Sequence, residues 1–234
     1  MRITEIKTYV LVADNADVSL TSSAQDTILV EIYTDKGIIG YGETDTNPWV
    51  AKALIDSPGT HTMDQSMKDI LIGKDPLDIS KRWEELYIGT AMTGRRGAGV
   101  NAIGAIDMAL WDIKGKYENK PVYELMGGNF HKTITPYASL QPLGSSFEEY
   151  RDSLVEWAEK ARNLGFRAVK SEVTMNGPYA HNGMEENDEK HTLVLEAVRK
   201  ALGPEIKLMV DVQYKWKTAE DALRTVKDWE EFDI

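Results

Sequence analysis

Three charged residues stand at the ends of two short apolar stretches in the second half of the chain. One stretch ends in Asp211, and the other, about forty residues earlier, carries Lys170 and Glu172 at its end. An apolar stretch that stops at charged side chains is typical of a buried parallel strand whose C-terminal end opens into a site. The sequence therefore predicts that the fold brings Lys170, Glu172 and Asp211 to one place.

Lys170 and Glu172 are two positions apart, so on a strand both side chains point to the same face. In a β/α barrel, the inward-facing positions near the C-terminal ends of the strands line the active site. A lysine and a carboxylate there could act as a general base, a general acid or an electrostatic clamp on an acidic substrate. An internal salt bridge at a strand end is the alternative that these two residues leave open.

Asp211 is the candidate metal ligand, because Mg2+ takes oxygen donors and keeps several of its waters. A single carboxylate in that position could equally cap a helix or fix a loop. Two histidines lie nearby in sequence, His181 within the polar loop 174–190 and His191 directly after it. They could reach a site above the barrel, but histidines of polar loops are usually solvent-exposed, and we expect the same of both.

The first half of the chain has the pattern of a small α+β domain. A strand is expected at 3–12, and two further β-rich stretches at 27–34 and 38–43 flank a short glycine-containing turn, which is typical of a hairpin. Together they predict a three-stranded antiparallel sheet. Residues 47–128 are helical in pattern, and the longest helix should run from about 100 to about 117.

The second half alternates strands and helices. Strands are predicted at 133–139, 167–173 and 206–212, and an amphipathic helix follows each of them. This spacing is that of β/α units, whose parallel strands are joined by right-handed crossovers. The chain is therefore predicted to be an α/β protein, with an α+β domain at 1–128 and about three β/α units at 129–234.

The composition excludes several classes of function. The formal net charge is -11, with 38 acidic and 27 basic residues, which gives no electrostatic footprint for a nucleic acid. The absence of cysteine excludes disulfides and thiolate metal sites. The N-terminus lacks the pattern of a signal peptide, and no apolar stretch is long enough to span a bilayer. We expect a cytoplasmic protein without nucleic-acid or membrane partners.

Two stretches in the middle of the chain carry a family resemblance. The sequences AIDMALWDIKGK at 105–116 and KPVYELMGG at 120–128 resemble the enolase superfamily and, more narrowly, its mandelate racemase/muconate lactonizing group. The strand ends GYGE at 40–43 and MVD at 209–211 agree with that group in position and order. The resemblance covers essentially the whole chain.

The resemblance implies an N-terminal α+β capping domain and a modified (β/α)7β TIM-type barrel. It also implies Mg2+ as cofactor and a reaction that begins by abstracting the proton α to a carboxylate. By position, Asp211 resembles the first metal ligand, and Lys170 resembles the first lysine of the family's Lys-x-Lys motif. The polar loops at about 14–26 and 44–61 would form the lid that selects the substrate.

One departure from the family pattern bears on the reaction. Glu172 stands where the second lysine of Lys-x-Lys is usual, so a two-base racemase is disfavoured. A dehydratase acting on a sugar acid fits better, with Lys170 and Glu172 as catalytic residues. The alternatives are a racemase, epimerase or cycloisomerase on the same scaffold, or a non-catalytic fragment that folds through its capping domain.

The second departure is length. A β/α barrel of ordinary size needs roughly 250 residues, and only 129–234 follow the capping domain. We expect this sequence to be the front part of a longer enzyme, or to be completed by another chain, with the remaining metal ligands and second base beyond position 234. The expected partners are a small-molecule carboxylate substrate and further copies of the chain in a homo-oligomer.

Overall fold

The computed structural model describes residues 1–17, 25–94, 96–128 and 131–234, which fall into two units, Met1–Phe130 and His131–Ile234. Each unit has a hydrophobic core of its own. The first is an α+β unit and the second a run of parallel β/α units, as the sequence predicts.

In the part of the first unit that the structure describes, the sheet has three antiparallel strands in the order β1 (Ile3–Val12), β2 (Asp26–Thr34) and β3 (Ile39–Thr44). The central strand β2 alternates buried and partly exposed residues, because every second side chain enters the core. The predicted hairpin between β2 and β3 is confirmed, with Tyr33 opposite Ile39 at its closed end.

Within the described residues of the first unit, five helices follow: α1 (Pro48–Asp56), α2 (Met67–Leu71), α3 (Ile79–Gly89), α4 (Ala98–Glu118) and α5 (Val122–Leu125). The longest is α4, as predicted, and it ends at Asn119, which adopts a left-handed conformation with φ of 52°. Along the described ranges, none of these or the later helices combines the length and apolar composition that crossing a membrane requires.

The prediction of a polar lid loop at 44–61 is wrong for its middle part, because α1 occupies it. The helix starts where Asn47 accepts a hydrogen bond from the amide of Val50 over 3.1 Å and Pro48 occupies the first turn. The other predicted lid loop, 14–26, includes residues 18–24, which lie outside the described part of the chain.

The second unit contains three β/α pairs. The strands are β4 (Ala138–Leu140), β5 (Ala168–Glu172) and β6 (Lys207–Asp211), and the helices are α6 (Phe147–Asn163), α7 (Asp188–Leu202) and α8 (Ala219–Val226). The strands pair in parallel in the order β4-β5-β6. Short 3₁₀ turns occur at His181–Gly183 and Lys227–Phe232.

One face of the parallel sheet enters the core of the second unit. Val169 of β5 and Leu208 of β6 are buried there together with apolar side chains of α6 and α7. The helix α6 begins with a capping box, in which Ser146 and Glu149 exchange hydrogen bonds. The face that carries the alternate residues of β5 and β6 is therefore available for chemistry.

The first parallel strand is shorter than predicted. The sequence indicates a strand at 133–139, whereas β4 has only three residues and residues 131–137 are exposed. Pro136 has no amide hydrogen to donate to a sheet, which explains why the pairing starts after it.

Close packing of β3 on α4 predicts a position that tolerates only glycine. A Cβ atom added at Gly42 would overlap the backbone carbonyl of Ala105 in α4. We expect Gly42→Ala to lower the free energy of unfolding by about 3 kcal/mol or more, because two backbones must separate. Urea unfolding of the purified variant measures this change.

Gly104→Ala is the matched control, since a Cβ atom there meets nothing within 4 Å and the residue lies inside α4. This variant should be about 0.5 to 1 kcal/mol more stable than the wild type, because alanine favours helix over glycine. Equal effects of the two substitutions would contradict the close packing of β3 on α4.

Candidate active site

The parallel pairing of β5 with β6 brings the three predicted site residues to one edge of the sheet. Glu172 lies in register with Asp211, and Lys170 lies in register with Met209. Residues in register on paired strands point to the same face, as do residues two apart on one strand. Lys170, Glu172 and Asp211 therefore share the face opposite the one that enters the core.

Lys170 and Asp211 form an ion pair on this face. Nζ of Lys170 donates to Oδ2 of Asp211 over 2.9 Å, and the amide of Gln213 donates to Oδ1 over 3.1 Å. The hydrogen bond from Lys170 lowers the pKa of Asp211, and Asp211 in turn raises the pKa of Lys170. At neutral pH, Lys170 is therefore a positive charge beside a carboxylate rather than a free base.

Glu172 is almost fully buried, with 4% of its surface exposed, and hydrogen bonds fix its position. Its Oε1 atom accepts from the Thr174 hydroxyl over 2.9 Å. Its carbonyl accepts from the Tyr150 hydroxyl over 3.0 Å, and that hydroxyl accepts from the Thr174 amide over 2.9 Å. Burial raises the pKa of Tyr150 to about 12, so the hydroxyl stays protonated. Glu172 is thus tied to α6 behind the sheet.

A strained turn follows Asp211 directly. The amide of Lys215 donates to the carbonyl of Val212 over 3.0 Å. The two residues between them, Gln213 and Tyr214, have φ of 44° and 56°. A left-handed conformation costs roughly 1–2 kcal/mol at a residue other than glycine, and turns with two such positions normally use glycine, asparagine or aspartate. Contacts outside the turn therefore stabilise it.

A cluster of charged and polar side chains lies behind the turn. Nζ of Lys215, whose side chain is only 4% exposed, is 2.7 Å from Oδ1 of Asp188 at the start of α7. The same Nζ atom lies 3.2 Å from Nδ1 of His191. Oδ2 of Asp188 accepts from the Thr225 hydroxyl over 2.9 Å. The cluster thus connects α7, α8 and the loop after β6.

Burial sets the protonation of this cluster. Burial, followed by the charge of Lys215, lowers the pKa of His191 to about 4, so the imidazole is neutral at physiological pH. Burial also lowers the pKa of Lys215. At Asp188, burial favours the protonated form, but hydrogen bonds from Lys215, Asn176 and Thr225 outweigh it and lower the pKa. Lys215 is therefore a poorly solvated cation that relies on Asp188.

The prediction that His181 and His191 are exposed is wrong. His191 is fully buried, and its Nε2 atom accepts from the amide of Met175 over 3.1 Å. His181 is 8% exposed, and its Nε2 atom lies 2.9 Å from the carbonyl of Gly144. The sequence contains a signal for His191, which lies at helical spacing from three buried apolar residues of α7, Val194, Leu195 and Val198.

The donor chemistry of Asp211 fits Mg2+, because its carboxylate oxygens are hard ligands. Glu172 lies beside it in register. Within residues 1–17, 25–94, 96–128 and 131–234, however, no group of three or more histidine, cysteine, aspartate or glutamate side chains could hold a metal ion. Asp211 therefore fits as one ligand of a site that the described residues do not complete.

The fold and these strand ends define an α/β protein in which an antiparallel α+β domain precedes part of a parallel-strand barrel. The family model "Mandelate racemase / muconate lactonizing enzyme, N-terminal domain" matches residues 6–127, and the model "Enolase C-terminal domain-like" matches residues 153–234. The chain therefore belongs to the mandelate racemase/muconate lactonizing enzyme family of the enolase superfamily, which confirms the resemblance in its sequence.

Curated relatives of this chain include enzymes that act on sugar acids or their lactones. D-galactarolactone cycloisomerase of Agrobacterium fabrum is 31% identical over 94% of this chain and 54% of its own length. Arabinonate dehydratase of Saccharolobus solfataricus is 30% identical over 99% of this chain and 59% of its own length. The chain thus spans little more than half the length of these relatives.

Solved structures give the same coverage. The 3,6-anhydro-D-galactonate cycloisomerase from Zobellia galactanivorans matches with a TM-score of 0.79 and 30% identity, over 100% of this chain and 57% of that one. A racemase from Streptomyces coelicolor A3(2) with bound magnesium matches with a TM-score of 0.79 and 25% identity, over 99% of this chain and 60% of that one.

The buried neutral histidine predicts a pH dependence of stability. His191 has a pKa of about 4 in the folded chain, against about 6.5 for an ordinary histidine in the unfolded chain. Between these values the unfolded state binds more protons. The free energy of unfolding should therefore fall as the pH drops from about 6.5 to about 4, by a loss on the order of 2 kcal/mol. Urea unfolding at stepped pH measures the slope.

His191→Gln removes the titrating group and should make the slope in this pH range shallower than in the wild type. His131→Gln is the matched control, because His131 is exposed, and it should keep the wild-type slope. A wild-type slope that survives unchanged in His191→Gln would assign the pH dependence to other groups.

Proposed function

We propose that this chain carries catalytic groups of an Mg2+-dependent enzyme that abstracts the proton α to the carboxylate of a sugar acid and dehydrates that acid. The proposal rests on the placement of Lys170, Glu172 and Asp211 on one face of the sheet, at the ends of β5 and β6. Relatives named arabinonate dehydratase and D-galactonate dehydratase family member support the substrate class and the reaction.

This chemistry needs positive charge beside the substrate carboxylate. A proton α to a carboxylate is weakly acidic, because its removal adds a second negative charge that must be stabilised where it develops. The ammonium group of Lys170 can stabilise part of that charge from the sheet face. Bound Mg2+, with Asp211 as one ligand, would supply further positive charge.

Glu172 is proposed as the group that moves the proton. Its carboxylate shares the face of Lys170, and the hydroxyl of Thr174 fixes its orientation. After taking the α proton, it can deliver a proton to the β-hydroxyl group, which leaves as water. The acid loses one molecule of water, and the resulting enol becomes a 2-keto-3-deoxy acid. Such a route uses one carboxylate as both base and acid.

The pair of residues favours dehydration over racemisation. A two-base racemase needs a base on each face of the substrate carbon, and the resemblance places lysines in both positions of Lys-x-Lys. Here Lys170 is a cation paired with Asp211, and a glutamate takes the second position. One cation and one carboxylate suit an elimination, in which a proton and a hydroxide are removed from neighbouring carbons.

Cycloisomerisation is the second candidate. D-galactarolactone cycloisomerase and 3,6-anhydro-D-galactonate cycloisomerase are both similar to this chain at 30% identity or slightly more. The two reactions share the abstraction of the α proton and differ in what leaves the β carbon. In a cycloisomerisation a ring oxygen leaves and stays attached to the molecule, so the product has the mass of the substrate, whereas dehydration removes one water.

Metal binding gives the first test. We expect isothermal titration of the chain with Mg2+ to show weak, millimolar-range binding, because Asp211 is one ligand among waters. Asp211→Asn should weaken this binding by about tenfold or more, since it removes the anionic donor. The matched control is Asp233→Asn, which makes the same change in charge at an exposed position of the second unit. Equal affinities in both variants would remove Asp211 from the proposed site.

Exchange of the α proton gives the second test. A set of aldonic acids is incubated with this chain in D2O. A substrate is identified by the loss of its α-proton NMR signal. Lys170→Ala should slow this exchange by about 10²-fold or more, because the developing charge loses its ammonium partner. Ser171→Ala is the control: Ser171 is fully buried, and its side chain points to the opposite face of β5.

The control should exchange at the wild-type rate and fold at least as stably. Its hydroxyl has no hydrogen-bond partner among the residues that the structure describes, so its removal leaves no polar atom unpaired. Wild-type exchange in Lys170→Ala would exclude Lys170 from the mechanism. Absence of exchange with every acid, together with absence of Mg2+ binding, would favour the non-catalytic alternative for this chain.

A further inference from the structure

We propose that Lys215 is a positioning residue for Asp211: its ion pair with Asp188 holds the strained turn that follows β6 and thereby orients the Asp211 carboxylate. The inference rests on the proposed function, because Lys215 would orient the proposed metal ligand Asp211. It concerns a residue that touches neither the candidate catalytic groups nor Asp211 itself, and it rests on contacts within the second unit.

Interactions within the turn do not offset the strain of its two left-handed residues. Gln213 and Tyr214 both have positive φ, and neither residue type favours the left-handed region. Tyr214 is 83% exposed, so burial of its ring does not compensate for the strain. The single backbone hydrogen bond from Lys215 to Val212 closes the turn. Apart from an edge contact of the Tyr214 ring with Tyr179, 6.0 Å between ring centroids, the conformation therefore depends on what fixes Lys215, the residue after the turn.

Lys215 is fixed from three directions. Its ammonium group pairs with Asp188 over 2.7 Å and contacts His191 over 3.2 Å. It also lies 4.9 Å from the centre of the Trp216 ring. Asp188 is itself held, because Asn176 and Thr225 donate to its two oxygens, each over 2.9 Å. The anchor thus reaches the loop after β5, the start of α7 and the helix α8.

The turn also fixes the orientation of the Asp211 carboxylate. The amide of Gln213, the first left-handed residue, donates to Oδ1 of Asp211 over 3.1 Å. This bond sets the side-chain rotation, and Oδ2 consequently lies on the sheet face, 2.9 Å from Nζ of Lys170. If the turn relaxes to an ordinary conformation, the Gln213 amide moves and the carboxylate is free to rotate. Orientation of a ligand by its neighbours is what makes a metal site effective.

A contribution to stability alone is a weaker explanation of the Lys215–Asp188 pair. Burying an ammonium group costs much of what its ion pair returns, so such a pair adds little net stability compared with apolar packing. The ion pair does, however, fix the position of the Lys215 ammonium group, 2.7 Å from Oδ1 of Asp188. The geometry of the turn is therefore the property that the pair determines.

The test compares Lys215→Met with Lys217→Met, which removes the same charge from an exposed residue of the same loop. NMR of the full chain reports two properties: the backbone carbon shifts of Gln213 and Tyr214, which identify positive φ, and the exchange rate of the Gln213 amide. In Lys215→Met we expect loss of the positive-φ shifts and exchange about tenfold faster, with the amides of β5 and β6 unchanged. Lys217→Met should match the wild type.

A rescue separates positioning from general stability. Glycine favours left-handed backbone, so Lys215→Met combined with Tyr214→Gly should restore the slow exchange of the Gln213 amide, whereas the same background with Tyr214→Ala should not. Asp188→Asn, which keeps the shape of the side chain, should reproduce the effect of Lys215→Met and serves if that variant folds poorly.

Three outcomes would overturn the proposal: unchanged Gln213 signals in Lys215→Met, faster exchange throughout β5 and β6, or a glycine variant that fails to restore the turn. The same samples titrated with Mg2+ should lose about tenfold in affinity in Lys215→Met and regain it in the glycine variant. Absence of Asp211-dependent Mg2+ binding in the wild type would refute the metal role alone, because the Gln213 signals still report whether Lys215 positions the turn.

Discussion

The register of β5 against β6 is the constraint on which the candidate site depends. It places Glu172 opposite Asp211 and lets Lys170, two residues earlier, reach the Asp211 carboxylate. A slip by one residue would turn the charged side chains of one strand into the apolar core. It would also expose Val169 or Leu208, both of which are buried, so the apolar packing disfavours the slip. The hydrophobic packing of α6 and α7 on one face of the sheet thus determines which side chains lie on the opposite face.

Two of the three site residues, Glu172 and Asp211, are supported by a second set of contacts. Tyr150 and Thr174 tie Glu172 to α6, while Asp188 and Lys215 support the turn behind Asp211. These supports explain why polar groups occupy buried positions that apolar residues would fill at lower cost. In the proposed function, a carboxylate that transfers a proton and another that faces a cation both gain from fixed geometry. The buried polar network is thereby connected to the proposed chemistry.

Local patterns in the sequence were sufficient for the hairpin, the long helix α4 and the alternation of parallel strands with helices. They also brought Lys170 and Asp211 together, because strand ends of parallel β/α units meet at one edge. What they missed is non-local. The pairing of Lys215 with Asp188 joins the loop after β6 to the first residue of α7, and no local pattern indicates it. The burial of His191 was readable from helical spacing, whereas that of His181 depends on a contact with the distant Gly144.

The position at which a divalent cation binds decides whether Asp211 is a metal ligand. Mn2+ prefers the same octahedral oxygen ligands as Mg2+, and its paramagnetism broadens NMR signals of nearby nuclei. If Asp211 is a metal ligand, Mn2+ should broaden the amide signals of Val212 and Gln213 first, and Asp211→Asn should shift this broadening to about tenfold or more higher Mn2+ concentration. Broadening centred elsewhere, for example on the acidic groove that Asp228 and Glu231 line beside α8, would contradict it.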